Sequence, residues 1–329
     1  MKHMNTQKFE QFLETHGWGD VPISFLAGDC SNRKYYRLGT KNKDSVLLMD
    51  APPPEERLGD FIEMASLLKG LGLSVPEILN ADLEKGFALI EDFGDQTYSR
   101  LLAQGNDEKY YMIATDTLIH LHKTFDLKKH RALASFSFDI FARELGVMME
   151  WYYPKAYEAP LGAEEKESFL AIWKKLLSPL LTPETLVLRD YMIDNLVYLE
   201  GRPGVKSCGL LDFQDALLGR RAYDLVSLLE DARYDVSPEI QAQMKARYLD
   251  AFPQLDRASF LEEYAILGAQ RSIKILGIFM RMYVRHKQEK YLAHIPRVWR
   301  WIEQDLTHPS LSQLKDWMAR HMPVVERRD

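Results

Sequence analysis

Cysteine is scarce in this chain, and long apolar runs are missing. The two cysteines, Cys30 and Cys208, lie far apart and have no metal-ligand spacing, which predicts reduced thiols. No apolar stretch reaches the length that spans a bilayer, and no basic-then-apolar N-terminus resembles a signal peptide. Together these features predict a soluble, cytoplasmic protein.

An excess of positive charge is also absent. The chain has 42 Lys and Arg against 48 Asp and Glu, a formal net charge of −6, which argues against nucleic acid or a membrane surface as a general partner. Its 329 residues, 46% hydrophobic and 27% charged, are ordinary for a globular protein of one large or two modest domains. The composition is compatible with a monomer but does not fix the oligomeric state.

The hydrophobic pattern changes near residue 94. Before it, the periodicity predicts helices at 5–16 and 58–69 and strands at 23–26, 35–38, 46–49 and 87–90. After residue 97, helical patterns dominate. We therefore predict an α+β, bilobal fold, with a small β-rich lobe at 1–93 and a larger, mostly helical lobe at 94–329. A nucleotide would lie in the cleft between the two.

Three oxygen-bearing side chains interrupt the helical part of the sequence. Asp190 is followed by Asn195 and, seventeen residues later, by Asp212. Apolar residues 196–199 and 210–211 flank a Gly- and Pro-containing turn, which is typical of a hairpin. Such a hairpin brings Asn195 and Asp212 together, beside Asp190.

This arrangement suits phosphoryl transfer. An Asn and an Asp offer the hard oxygen ligands that Mg²⁺ prefers, and a third carboxylate can orient the attacking hydroxyl. The alternative is a polar turn that joins two core strands. Asp224, further on in Ala222-Tyr223-Asp224-Leu225, is expected to be structural, anchoring the loop that carries Asp190.

These residues resemble the catalytic loop and metal-binding Asp of the protein-kinase-like fold, in the variant used by aminoglycoside and choline phosphotransferases. A closer resemblance rests on the stretches Leu48-Met49-Asp50-Ala51-Pro52-Pro53, Asp92-Phe93-Gly94-Asp95 and Leu211-Asp212-Phe213-Gln214-Asp215-Ala216, and on 268–279. They are similar to the bacterial anomeric N-acetylmuramate/N-acetylglucosamine kinases of peptidoglycan recycling. Such kinases use ATP and Mg²⁺ to phosphorylate the C1 hydroxyl, which gives an α-1-phosphate.

The resemblance implies a role for each of the three residues. Asp190 is the catalytic base, and Asn195 and Asp212 hold Mg²⁺. Leu188 stands where the wider family has His, and Met192 stands where the closer relatives are also expected to carry His. These departures affect the hydrogen bonding of the loop but leave the base and both metal ligands in place.

The nucleotide side is less well marked. The turn from Gly28 to Arg33 joins two predicted strands, and its backbone N–H groups could approach phosphates, although an ordinary hairpin turn is the alternative. Met49 stands where kinases carry a phosphate-binding lysine. Arg33, Lys34 and Arg37 are the candidate cations, and Arg33 is nearest the turn. The residues expected at the nucleotide are Gly28, Ser31, Asn32, Arg33, Glu63, Glu91, Asp92 and Phe93.

The acceptor side leaves two interpretations open. Gln214 and Asp215 follow the metal-binding Asp and either contact the acceptor or stabilise the loop. Arg271 and Lys274, with Arg281 and Arg285, fall on one helical face that either binds an acceptor carboxylate or is solvated or ion-paired. An aminoglycoside- or choline-type kinase and a nucleotide-binding pseudokinase are the alternative functions.

Overall fold

The computed structural model describes residues 7–27, 32–39, 45–105 and 107–323. These residues form two compact units. One contains the described residues up to 98 together with 195–215, and the other contains those of 99–194 together with 216–323. The predicted division at residue 93 follows chain order, whereas in the structure the segment 195–215 groups with the N-terminal part. The nucleotide and catalytic assignments of the two predicted lobes stay predictions.

The strands are short and the helices range from one turn to thirty residues. The strands are β1 (Ile23–Ala27), β2 (Lys34–Leu38), β3 (Val46–Asp50), β4 (Ile78–Asp82), β5 (Phe87–Glu91), β6 (Thr185–Val187), β7 (Leu196–Tyr198), β8 (Cys208–Leu210) and β9 (Leu217–Gly219). The helices are α1 (Gln7–Thr15), α2 (Leu58–Gly70), α3 (Tyr98–Leu102), α4 (Asp107–Thr124), α5 (Phe138–Val147), α6 (Tyr153–Tyr157), α7 (Ala163–Leu177), α8 (Ala222–Leu229), α9 (Pro238–Ala251), α10 (Arg257–His286), α11 (Ile295–Asp305) and α12 (Ser312–His321).

The first unit is built on a five-stranded antiparallel sheet in the order β1-β2-β3-β5-β4. Strand β2 alternates as a half-buried strand should, because Tyr36 and Leu38 are buried with Val46 and Leu48 of β3. Helix α1 covers this apolar face through Phe9, Phe12 and Leu13. The opposite face of β2 is left for Arg33 and Arg37, as the sequence periodicity predicts.

The hairpin of β7 and β8 belongs to the same unit. Its strands pair antiparallel, with Leu196 opposite Leu210 and Tyr198 opposite Cys208. Ser74 bridges to Gly209 on one side, and Thr97 bridges to Val197 on the other. Gly209 is needed for close packing, since a Cβ there would lie 2.7 Å from the ring of Phe93. The predicted hairpin is confirmed.

The second unit is helical apart from a short ladder of β6 and β9. Its thirty-residue helix α10 packs against α5, α8, α11 and a π-helical turn at Met148–Tyr152. At Gly277 the helix approaches that turn so closely that a Cβ would lie 2.4 Å from main-chain atoms of Val147 and Met148. A side chain at this point would separate α10 from α5.

A sheet-based unit and a mostly helical unit confirm the predicted α+β fold class. Among the helices in the described ranges, none combines the length and the apolarity that crossing a membrane requires.

Candidate active site

Asn195 and Asp212 flank the paired strands of the hairpin, one on each side. The N–H of Leu211 donates to the main-chain O of Asn195 at 2.9 Å, which extends the ladder by one residue beyond the Leu196–Leu210 pair. The open end of the hairpin is therefore fixed in register. The two residues that the sequence singled out as metal ligands are neighbours across the ladder.

Asp212 combines an unusual backbone with an accessible side chain. Its φ is 57°, a left-handed conformation that Asp tolerates better than most residues. Its side chain is 42% exposed, and Oδ1 accepts hydrogen bonds from Gln214 Nε2 at 2.9 Å and Arg33 Nη2 at 3.3 Å. Gln214 Nε2 also donates to Asp215 Oδ2 at 2.9 Å. The carboxylate is oriented by protein donors while part of it stays open to solvent.

Arg33 is a buried cation at this carboxylate. Only 7% of the residue is exposed, and its Nε lies 3.0 Å from Glu56 Oε2. Burial lowers the pKa of Arg33, but Tyr35, Asp212 and Glu56 raise it more strongly, so the net direction is upward. The guanidinium is therefore held in its charged form between two acids.

Glu56 was not expected from the sequence. Besides pairing with Arg33, it accepts the N–H of Asn32 at 3.0 Å through Oε1. Glu56 therefore fixes both the backbone that enters β2 and the side chain of Arg33, which directly precedes that strand. Glu63, one of the residues expected at the nucleotide, is exposed on α2. Gly28 and Ser31 lie outside the described residues.

An open pocket lies next to this ion pair. Its walls are formed by Arg33, Met49, Ala51, Glu55, Glu56, Arg57, Leu58, Asp60, Phe61, Gln214 and Asp215. Met49 is 1% exposed and contributes an apolar wall where kinases place a lysine. In the described part of the first unit, the buried cation of this pocket is Arg33, which directly precedes β2, and not a residue of β3.

Glu91, Asp92 and Phe93, which the sequence predicts at the nucleotide, have protein partners of their own. The Asp92 side chain is 2% exposed and accepts from Arg37 Nε at 2.6 Å and Ser45 Oγ at 2.6 Å. Burial raises the pKa of Asp92, but these hydrogen bonds outweigh it and lower the pKa below its usual value. Glu91 pairs with Arg202, and the Phe93 ring packs against Gly209.

The loop that carries Asp190 lies in the second unit and is tied down by Asp224. The buried carboxylate of Asp224 accepts the N–H of Leu188 at 2.6 Å and that of Arg189 at 2.9 Å, as the sequence predicts for a structural anchor. Burial raises the pKa of Asp224 to about 7, against the opposing effect of these two hydrogen bonds. Because the main chain carries the contacts, the buried Leu188 needs no side-chain hydrogen bond.

Arg271 and Lys274 do not form a solvated stripe. Arg271 is 4% exposed, and the Lys274 side chain is 12% exposed. Lys274 Nζ donates to Glu144 Oε1 at 3.2 Å and to Tyr223 Oη at 3.3 Å. The ion-paired interpretation therefore describes Lys274, while its relation to an acceptor stays a prediction.

Known structures that share this fold include small-molecule phosphotransferases. An ADP-bound aminoglycoside phosphotransferase APH(2'')-Ib aligns with a TM-score of 0.61 at 14% identity, covering 92% of this chain and 99% of that one. An ethanolamine kinase from Plasmodium vivax aligns with a TM-score of 0.60 at 10% identity, covering 91% and 84%. At these identities the likeness establishes the fold alone, which is that of small-molecule kinases.

The sequence comparison goes further. The chain belongs to the phosphotransferase enzyme family, which matches residues 22–261. It is similar to an N-acetylmuramate/N-acetylglucosamine kinase from Caulobacter vibrioides, at 36% identity over 96% of each chain. A protein of the same name from Pseudomonas aeruginosa is 35% identical over 94% of this chain and 92% of that one. The resemblance drawn from the sequence is confirmed.

Proposed function

We propose that this chain is an ATP-dependent kinase that phosphorylates the anomeric C1 hydroxyl of N-acetylmuramate or N-acetylglucosamine to the α-1-phosphate, as in peptidoglycan recycling. The observation that carries the proposal is the hairpin that sets Asn195 beside Asp212, with the Asp212 carboxylate in contact with the buried cation Arg33. Oxygen ligands next to a fixed positive charge suit a nucleotide phosphate and its metal ion.

Asp190 would act as the base that orients the acceptor hydroxyl. An anomeric hydroxyl is more acidic than an ordinary alcohol, so Asp190 needs only to align it and accept a late proton. In a loose transition state, positioning and charge neutralisation contribute more than basicity. The tight loop around Asp190 supports this role, since its N–H donates to Leu188 O and its O accepts from Met192 N, both at 2.9 Å.

Asn195 and Asp212 would hold Mg²⁺. Their donor set fits, because Mg²⁺ is usually bound by one or two protein carboxylates or amides and completes its shell with phosphate oxygens and water. The 42% exposure of the Asp212 side chain leaves room for such a ligand. Bound there, the ion would supply neutralisation of the charge on the transferring phosphoryl group.

Arg33 would take the place of the missing kinase lysine at the phosphates. Glu56 would take the place of the glutamate that pairs with that lysine in kinases. The main chain of Glu91, Asp92 and Phe93 would contact the adenine, and Asn32 would lie near the phosphates. Gln214 and Asp215 would serve the acceptor side next to the metal. Arg271 and Lys274 would act on the acceptor through their charge, since both are buried.

The comparisons support this acceptor over an aminoglycoside or choline. The relatives named for amino sugars are 30–36% identical over most of the chain, whereas the aminoglycoside and ethanolamine enzymes share 10–15% identity and the fold. Dependence on ATP would place the reaction in the cytoplasm. Incubation with Mg-ATP and each amino sugar should give a sugar 1-phosphate. Product at C6, or no turnover of any amino sugar, would contradict the proposal.

The role of Asp190 has a separate test. Asp190→Asn should lower kcat by about 10²- to 10⁴-fold, since it removes the proton acceptor. The dissociation constant of ATP should stay within about twofold, because this substitution leaves the metal and phosphate contacts intact. Steady-state kinetics and calorimetric titration measure the two quantities. A variant that no longer binds ATP would show that Asp190 has another role.

A further inference from the structure

Glu144 is a buried carboxylate that collects donors from two other segments of the second unit. It lies on α5 with its side chain 11% exposed. Its Oε1 accepts from Arg189 Nη2 at 2.8 Å and Lys274 Nζ at 3.2 Å, and its Oε2 accepts from Gln270 Nε2 at 3.0 Å. Burial raises the pKa of Glu144, but Lys274 and Arg189 outweigh it and lower the pKa. The group is therefore an anion held by fixed partners.

Arg189, one of these partners, directly precedes Asp190 and has a strained backbone. Its φ is 70°, in the left-handed region, where a residue other than glycine persists only if its surroundings hold it. Its main-chain N–H donates to Asp224 on α8, and its guanidinium donates to Glu144 on α5. The residue is therefore tethered at both ends, by carboxylates from two different helices.

The two tethers are not equivalent. Asp224 receives main-chain N–H groups and so fixes the path of the chain, whatever side chain follows. Glu144 fixes the Arg189 side chain, which also lies over the Phe136 ring with its guanidinium carbon 5.9 Å from the ring centroid. Main-chain bonds also hold the peptide plane between Arg189 and Asp190, since the Asp190 N–H donates to Leu188 O at 2.9 Å and Arg189 O accepts from Ser227 Oγ at 3.5 Å. The tether to Glu144 adds the restraint on the Arg189 side chain, at the residue that directly precedes Asp190.

Asp190 is also within electrostatic reach of the same cluster. Its charge is among those that act on Arg189 and on Lys274. Glu144, Arg189 and Lys274 together carry one net positive charge next to the Asp190 carboxylate. Because Glu144 holds both Arg189 and Lys274 in place, it also determines where these positive charges lie relative to Asp190.

We propose that Glu144 is a positioning residue for the phosphoryl-transfer reaction, which fixes the Arg189 side chain and thereby the orientation of the Asp190 carboxylate. The inference rests on the proposed function in taking Asp190 as the residue that aligns the acceptor hydroxyl. In this role Glu144 acts through Arg189, so its effect should appear in kcat and not in the binding of ATP.

The primary test compares two buried carboxylates of similar exposure. Glu144→Gln keeps the shape but replaces one acceptor oxygen by a donor that faces other donors. We expect kcat to fall by about 10- to 100-fold, as for a small displacement of a reacting group. The KM for ATP should change by less than about threefold, whereas a change in the KM for the sugar would report on Lys274, the other cation that Glu144 holds. Steady-state kinetics with the sugar that the wild type uses measures both.

Glu263→Gln is the matched control. Glu263 lies on α10, its side chain is 12% exposed, and it pairs with Arg220 away from the Asp190 loop. It should lower the melting temperature by an amount similar to Glu144→Gln while leaving kcat within about twofold. If Glu144→Gln behaves like this control, with stability lost and kcat kept, the positioning role is overturned.

A second variant keeps the inference testable if Glu144→Gln does not fold. Arg189→Met removes the tethered cation but leaves the Glu144–Lys274 pair, so no buried charge loses its last partner. It should lower kcat as much as Glu144→Gln, and the double variant should be no slower than either single one, because both break one interaction. Multiplicative effects would overturn the inference. If the wild type phosphorylates no amino sugar at all, the proposed function fails instead.

Discussion

The two units hold their key carboxylates in opposite ways. In the first unit the Asp212 side chain is 42% exposed and shares one oxygen between Arg33 and Gln214. In the second unit Asp224 is fully buried, and both of its oxygens accept main-chain N–H groups. An accessible carboxylate can exchange a protein donor for a ligand, whereas a buried one can only hold the chain. In the proposed mechanism the first unit would supply the metal ligands, whereas Asp224 of the second unit holds the loop that precedes them.

The largest effect should follow from removing the accessible carboxylate. Asp212→Asn keeps the size of the side chain but loses the charge that would bind Mg²⁺. The value of kcat/KM should therefore fall by about 10³-fold, equivalent to several kcal/mol of charge stabilisation. The Mg²⁺ concentration for half-maximal rate should rise. Kinetics across a Mg²⁺ series measures both quantities.

Asp95→Asn is the control for that change. Asp95 is an exposed carboxylate of the same unit that pairs with Arg37, and its removal should leave the rate nearly unchanged. An Asp212→Asn enzyme that kept its rate and its Mg²⁺ requirement would mean that exposure does not mark the functional carboxylates.

An intermediate effect should follow from the buried cation of the first unit. Arg33→Met should lower kcat/KM for ATP by about 10²-fold, as expected when one fixed donor is removed from a developing charge. Arg33→Lys should retain part of this kcat/KM, since lysine keeps the positive charge but lacks the planar, two-pronged donor group of the guanidinium. Lys34→Met, an exposed neighbour on the other face of β2, is the control. If Lys34→Met lowered kcat/KM for ATP more than Arg33→Met, the phosphate contact would belong to Lys34.

The smallest effect on catalysis should follow from a buried acid pair in the second unit. Glu230 and Asp305 approach each other beneath α10, where a Cβ on Gly268 would lie 2.7 Å from Glu230 Oε2 and 2.5 Å from Asp305 Oδ2. Burial raises the pKa of Glu230 from 4.5 to about 7, and burial with the neighbouring Glu230 raises that of Asp305. The folded state therefore favours the protonated pair.

The sign of the pH dependence follows from that shift. Below about pH 4.5 Glu230 is protonated in both states, and as the pH rises to about 7 the unfolded chain releases its proton first, so stability falls. The loss from Glu230 amounts to at most about 3 kcal/mol. Glu230→Gln should therefore gain stability relative to the wild type between pH 5 and 8, with kcat unchanged. Urea unfolding of both proteins at pH 5 and at pH 8 measures this difference in stability. A Glu230→Gln variant that is less stable than the wild type in this range would show that Glu230 is not held in its protonated form.

The sequence predicted the hairpin of the first unit better than the contacts that surround it. Asn195 and Asp212 stand at the ends of two apolar runs around a Gly/Pro turn, and local patterning is enough to pair such runs. Arg33 and Arg37 were placed on one strand face by the period of two, and the structure agrees. Glu56 gave no signal, because it lies in an irregular turn after three prolines, where no periodicity indicates a partner.

The support in the second unit was harder to predict for a different reason. Glu144 and Arg189 are 45 residues apart and meet only because α5 and α10 pack on the same side of the loop. Asp224 was recognisable from its surroundings in the sequence, but the burial of Arg271 and Lys274 was not. Helical periodicity places cations on a common face, yet it cannot say whether that face is covered.

The burial of Cys208 has a practical consequence. Its thiol lies on β8, opposite Tyr198, and no part of the residue is exposed. A thiol reagent can therefore reach it only when the hairpin opens, and in a Cys30→Ser background the modification rate counts those openings. The chain thus carries a native reporter on the segment between Asn195 and Asp212, which allows the mobility of that segment to be followed without a label being introduced.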